Sequence, residues 1–239
     1  MAPTILFVPG FWEGPSVFAP IVALATADGF TAETAVLAST GSTSPGNPGM
    51  KDDIAAVREK IQHLVTRGDE VLLVLHSGGG FIGSEAMEAL SKKERASHGE
   101  RGGVIGIVFL SAAVFPEGYQ HQPLPFAVVE RSKGGASYCA QPEILLFNDI
   151  PDEERSKWLT ALKPQPSQGW DDVVAYTGWK HVPSVYLICE EDKALPVPLQ
   201  EQLAALANSK IERCNAGHLP HLSQPKRVLE VIKTAILSM

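Results

Sequence analysis

The chain is predicted to fold as an α/β protein, with a mostly parallel sheet flanked by helices on both faces. Apolar strand-like runs alternate with helix-like stretches along most of the 239 residues, and such alternation implies parallel strands joined by crossover helices. The strongest runs, VLLVL at 71–75 and VIGIVFL at 104–110, are continuous rather than alternating, as expected for strands with neither face wet. Hydrophobic residues make up 44% of the chain and charged residues 20%, so one sizeable buried core fits the composition. A single domain spanning 1–239 is expected.

Taken in order, Thr4–Val8 reads as the first strand. Its apolar core, Ile5–Val8, is halted by Pro9 and has no positive segment before it, which is too short for a signal peptide or membrane span. Ser16–Ala27 follows as a covering helix, then Thr31–Leu37 as a further strand. Residues 39–49, STGSTSPGNPG, read as a flexible polar loop. Across Met50–Arg67, Ile54, Val57, Ile61, Leu64 and Val65 repeat near the helical period. Glu70–Leu75 supplies the next strand, and the helix that starts beyond Ser77 is expected to run through Gly83–Leu90. SKKERASHGERGG, 91–103, reads as a solvated surface turn.

Gly103–Ser111, Ser184–Cys189 and the shorter Lys210–Arg213 complete the strands, and a last helix runs from Pro225 to Leu237, proline suiting its first turn. Residues 119–182 are far too long for an ordinary connection and are rich in aromatics and prolines. They are expected to form an inserted helical cap on a core of 1–118 and 183–239.

A net charge of -7 without basic patches argues against nucleic acid or an anionic membrane as partner. Cys139, Cys189 and Cys214 are odd in number and lack ligand spacing, so neither a disulfide framework nor a zinc site is expected. The cytoplasm is the expected compartment, and a homodimer is left open.

The segment VLLVLHSGGGFIG carries the chemistry. A strand that runs into a sharp turn bearing a serine, with a helix at once behind it, presents that serine as a nucleophile. Ser77 is the candidate. Gly79 meets the need for a small residue two positions after the serine, whereas Leu75 stands where a glycine is wanted two positions before it. Gly78, Gly80 and Gly83 also spell Gly-x-Gly-x-x-Gly, a dinucleotide-binding signature, or simply a glycine-rich structural turn. The dinucleotide reading wants an acidic residue at the end of the next strand, where Ser111 stands, with Glu100 before that strand.

A serine hydroxyl needs a base, and the base needs an acceptor that fixes its tautomer. In folds with this elbow the order along the chain is serine, acid, histidine. His218 follows the strand-like KIERC through a small-residue turn and is the candidate base, with His221 its competitor. The His-x-x-His pair they form lacks a clear helix and a third ligand, so no metal is expected. His76 should point away from its neighbour Ser77 in a structural role, and His63, His98, His121 and His181 read as surface or cap residues. Among Glu190, Glu191 and Asp192, past Ser184–Cys189, Asp192 is placed to reach His218 Nδ1. Backbone amides of Gly78 and Phe11 are the candidate oxyanion donors. Trp12, Tyr119, Trp158 and Leu219 are candidate substrate contacts, Trp12 with packing as its alternative.

Together, FVPGFW, LHSGGGFIG, FLSAAVFPEG, ICEEDKALP and AGHLPHLSQP in this order resemble the α/β-hydrolase superfamily over nearly the whole length, above all its compact branch of plant hydroxynitrile lyases, methyl-salicylate-type esterases and related microbial hydrolases. The resemblance implies a Ser77–Asp192–His218 triad, an oxyanion hole from Phe11 and Gly78, and a site beneath the cap. Pro9, in place of the histidine usual before the oxyanion-loop glycine, and Leu75 depart from the pattern. The expected activity is hydrolysis of an ester, lactone or thioester bond in a small, largely apolar molecule, with no cofactor. The alternatives are a lyase, cyclase or isomerase using the same residues as acid and base, a non-catalytic ligand receptor, and last a dinucleotide-dependent oxidoreductase.

Overall fold

In a computed structural model that describes residues 2–43 and 46–239, the buried run TILFV forms β1 (Thr4–Val8). After it come α1 (Ala19–Ala27), β2 (Ala32–Thr34), α2 (Met50–Thr66), β3 (Glu70–His76), α3 (Gly79–Ala86), α4 (Lys92–Ser97) and β4 (Gly103–Leu110). Positions 44 and 45 of the loop expected at 39–49, and Met1, lie outside the described residues.

The segment between β4 and the next core strand holds β5 (Ala127–Glu130), β6 (Ala136–Cys139), α5 (Pro142–Leu145), α6 (Asp152–Ala161) and β7 (Gln165–Pro166). The chain then returns to the core as β8 (Ser184–Cys189), α7 (Val197–Leu206), β9 (Lys210–Cys214), α8 (Pro220–Ser223) and α9 (Pro225–Ser238). Six strands pair in the order β2-β1-β3-β4-β8-β9, every pair parallel. Because β3 is central and buried from Val71 to His76, its carboxyl end delivers Ser77 to the middle of the sheet's edge. Brackets of helix cover the faces: α9 turns Val228, Leu229, Val231, Ile232 and Ala235 inward on one stripe.

Four details differ from the sequence reading. The strand expected at 31–37 is only Ala32–Thr34, a half-buried edge strand. The helix behind Ser77 stops at Ala86, short of Leu90, and Ala89 adopts a positive φ of 58° in the turn that follows. Within 91–103 lies α4, which buries none of its residues but is helical, because the Ser91 hydroxyl accepts Glu94 N–H at 3.2 Å and caps its first turn. The inserted region is a mixed cap: beside α5 and α6 it holds an antiparallel sheet of β5, β6 and β7. Its strands are four residues or fewer, too short for an alternating pattern to stand out.

A buried polar chain ties the cap to the core. Asp53 on α2 accepts Ser39 N–H at 2.7 Å and the Ser39 hydroxyl at 2.6 Å, Ser39 Oγ accepts Gln165 Nε2 at 2.7 Å, and Gln165 Oε1 accepts Trp12 N–H at 2.6 Å. Burial pushes the Asp53 carboxyl up to about 6, although both Ser39 bonds oppose the rise. Trp12 sits at φ 64°, and Gln165 satisfies the amide that this turn exposes. Gln165→Leu strands that buried amide and is expected to cost about 1–3 kcal/mol. A lower urea midpoint at unchanged m-value is the measurement that checks it.

Candidate active site

Ser77 stands at the turn between β3 and α3 with φ 49°, a left-handed conformation that lifts its side chain clear of the strand. The turn is pinned on both sides: Ser77 N–H reaches Leu110 O at 3.3 Å, and Ser77 O accepts Gly80 N–H at 3.0 Å and Ala113 N–H at 2.9 Å. The loop after β1 presses against it so closely that a Cβ on Gly10 would lie 2.6 Å from Ser77 Cβ. Leu75 is accommodated by an exchange of volume. It is fully buried, and its side chain occupies the space that a Cβ on Gly83 would need. The glycine missing two residues before Ser77 is thus offset one turn into the helix, and Gly83 serves packing in the arrangement seen here.

His218 lies in the loop between β9 and α8, with Nε2 2.9 Å from Ser77 Oγ and Nδ1 2.8 Å from Asp192 Oδ2. Asp192, just past β8, is buried, whereas Glu190 and Glu191 are exposed. Its Oδ1 accepts Ala194 N–H at 2.7 Å and Leu195 N–H at 2.9 Å. Oδ2 also accepts a short hydrogen bond from the Ser111 hydroxyl. Ser111, noted from sequence only as standing where a dinucleotide site wants an acidic residue, directly follows β4 at φ 41°, and its hydroxyl meets the carboxylate just past the neighbouring β8. Its signal was its place at the carboxyl end of a central strand.

Burial alone would raise the Asp192 carboxyl, but the charge and hydrogen bond of His218, with Ser111, hold it below its ordinary value. Burial alone would lower His218, but the Asp192 charge and hydrogen bond outweigh it and raise the imidazole above 6.5. A protonated His218 cannot accept a proton, so a reaction that uses it as base toward Ser77 is expected to slow as pH falls through that raised value. The acid limb of kcat/KM is therefore expected above pH 6.5, read from initial rates across pH.

The sequence pattern of the alpha/beta hydrolase family matches residues 5–231. The chain belongs to that family. Alpha/beta hydrolase nvfD from Aspergillus novofumigatus is 31% identical over 245 aligned positions, covering 98% of this chain and 97% of that one. Among solved structures, tomato methylketone synthase I complexed with 2-tridecanone superposes with a TM-score of 0.79 at 16% identity over 100% of this chain and 99% of that one. Methylesterase MES16 from Arabidopsis gives 0.78 at 18% identity, over 99% and 100%. These likenesses bear out the resemblance read from FVPGFW and LHSGGGFIG, and the chain is an α/β-hydrolase enzyme of the serine-hydrolase type. Among the described residues, no helix is long and apolar enough to cross a membrane.

A small cavity opens onto the hydrolase's Ser77, and a larger one adjoins it. The smaller, about 50 Å³, is lined by Ser77, Gly78, His218, Glu13 and a wall of apolar side chains that includes Phe81, Phe115 and Leu195. The larger, about 530 Å³, lies against the cap sheet and Trp170 and does not touch Ser77. Phe11, Trp12, His121 and Leu124 line both. His121 is buried, with its ring 5.8 Å from Phe11 and 5.5 Å from Phe81, and burial lowers its pKa. Its cap position was expected, but its place between the cavities was not, because the path of 119–182 could not be read.

The other candidates fall elsewhere. Tyr119 stacks on Phe115 at 4.1 Å, behind the wall. Trp158 is buried on α6 and Leu219 is buried next to His218, and neither lines either of these two cavities. His63, His98 and His181 are exposed. His221 is fully buried, its ring packed against those of Phe18 and His76. Gly78 and the Phe11 loop border the small cavity, and Gly78 leads α3, where the first amides lack intrahelical partners. Among the described residues, Glu13, His76 and His221 are the group with metal-like spacing, their candidate ligand atoms within 4.8 Å of one another, and His218 is not part of it.

Proposed function

We propose that this hydrolase cleaves an ester, lactone or thioester bond of a small, largely apolar molecule. Ser77 Oγ attacks the carbonyl carbon while His218 Nε2 takes its proton, Asp192 holds the imidazole, and the amides of Phe11 and Gly78 receive the oxyanion. His218 then returns the proton to the leaving oxygen or sulfur, and water, deprotonated by His218, releases the acyl group. What carries the reading is the unbroken relay from Ser77 through His218 to Asp192, 2.9 Å and then 2.8 Å, opening into an apolar cavity.

The reacting carbonyl would occupy the small cavity and the rest of the substrate would extend past Phe11 and Trp12 into the large one, whose volume of about 530 Å³ is that of a small-molecule site. In this reading 119–182 is a cap over a core of 1–118 and 183–239. Three buried free thiols and a net charge of -7 agree with a cytoplasmic enzyme that has no nucleic-acid partner. Incubation with a fluorophosphonate is expected to label Ser77. Acid quenching during turnover of p-nitrophenyl butyrate should then reveal an acyl group on the same residue. Labelling without any acyl-enzyme would favour lyase or isomerase chemistry with His218 as acid and base, and no labelling would reject a reactive serine.

A further inference from the structure

Behind the relay lies a second carboxylate and imidazole. Glu13, in the loop after β1, is buried, and its Oε2 accepts Gly10 N–H at 3.2 Å and meets His76 Nδ1 at 2.9 Å. His76 Nε2 lies 2.8 Å from the backbone carbonyl oxygen of His218. A carbonyl oxygen only accepts, so Nε2 carries a hydrogen. The contact between Nδ1 and Oε2 must then hold one more proton. It sits either on the ring, facing a carboxylate, or on the carboxyl, facing a neutral ring, and in both states Oε2 still accepts from Gly10.

We infer that Glu13 and His76 are positioning residues for hydrolysis, joined by one shared proton that holds the oxyanion loop, the serine elbow and the His218 loop in register. The inference rests on the roles proposed above for Ser77 and His218. Each point of attachment adjoins a reacting group: Gly10 precedes Phe11, His76 precedes Ser77, and the accepting carbonyl is that of His218 itself. The two imidazoles pack with centroids 4.9 Å apart, so His218 is held at its ring by Asp192 and at its backbone by His76. Glu13 lines the small cavity, but its Oε2 is engaged by Gly10 and His76, and it acts through them.

His221 does not compete for the proton. It is packed between Phe18 at 4.4 Å and His76 at 4.6 Å, and burial, followed by the two neighbouring imidazoles, lowers its pKa well below the usual value. A buried charged or proton-sharing pair is weak evidence for stability, since apolar residues can fill the same space at no loss. Its three attachments beside reacting groups point to geometry as its use.

Glu13→Gln tests this with little change of shape. The amide oxygen can serve both Gly10 and His76 only by leaving a buried imidazolium without its carboxylate, and the amide NH₂ that could face His76 would oppose Gly10 N–H. For the folded variant, verified by circular dichroism, kcat on p-nitrophenyl butyrate is expected to fall at least about tenfold with KM within about twofold, because positioning of the base is lost and binding is kept. Histidine-selective ¹⁵N spectra of the unaltered enzyme supply the second measurement. They are expected to show His76 protonated at Nε2, with a far-downfield proton at Nδ1 that disappears in the variant. Unchanged kcat in folded Glu13→Gln, or a His76 Nε2 without a proton in the unaltered enzyme, overturns the inference. Absence of turnover and of Ser77 labelling in the unaltered enzyme would instead reject the hydrolase reading, and the spectra would still decide the pair.

Discussion

Ser77→Ala is expected to lower kcat by about 10⁴- to 10⁶-fold, the largest effect of any single substitution in this hydrolase. The loss follows from the relay. Ser77 Oγ is 2.9 Å from His218 Nε2, and alanine removes the atom that would attack and the proton that would move. Alanine adds no bulk, which matters because Gly10 and the Phe11 loop are packed onto the serine. The elbow should persist, since its backbone bonds to Leu110, Gly80 and Ala113 do not involve the side chain. Initial rates with p-nitrophenyl butyrate give the loss, and a melting temperature within a few degrees shows that the fold is kept. A residual rate within tenfold of the unaltered enzyme would reject Ser77 as nucleophile. Unaltered ligand binding with no reaction in either protein would identify a receptor on a hydrolase scaffold.

Most of the sheet was legible because buried parallel strands write themselves as uninterrupted apolar runs, and β1, β3, β4 and β8 all fall within a residue or two of where those runs lie, whereas the edge strand β9, KIERC, is mostly exposed and carries no such run. The relay was legible for a different reason. Ser77, Asp192 and His218 each lie just past a strand's carboxyl end, and parallel strands bring those ends to one edge of the sheet. What was hidden depends on contacts between distant segments. Nothing near Gln165 in sequence suggests that it would satisfy the amide of Trp12, and nothing near Leu75 suggests that Gly83 would make room for it. Glu13 was passed over because a carboxylate five residues past β1 in a glycine-containing loop reads as solvated until His76 is seen beside it. α4 is the exception, for the pattern Ser91-Lys-Lys-Glu94 is a local capping signal that charge alone obscured.

Asp192→Asn is expected to lower kcat by about 10⁴-fold while leaving the fold intact. The carboxylate is surrounded by donors. Oδ1 accepts the amides of Ala194 and Leu195, and Oδ2 accepts from the Ser111 hydroxyl and from His218 Nδ1. Asparagine must place an NH₂ group on one side. Turned toward Ala194 and Leu195 it would face two backbone N–H groups that cannot rotate away, so that orientation is disfavoured. Turned toward His218 it faces a hydroxyl that can rotate to accept and an imidazole that can exchange tautomers. The second orientation wins, and it has a chemical consequence. An NH₂ donating to Nδ1 leaves the ring proton on Nε2, where it faces Ser77 Oγ and blocks removal of the serine proton. Histidine ¹⁵N spectra should therefore show the His218 proton moved from Nδ1 to Nε2 in the variant, together with the loss of kcat. A drop in rate below tenfold, or a His218 still protonated at Nδ1, would show that Asp192 does not set the tautomer of the base.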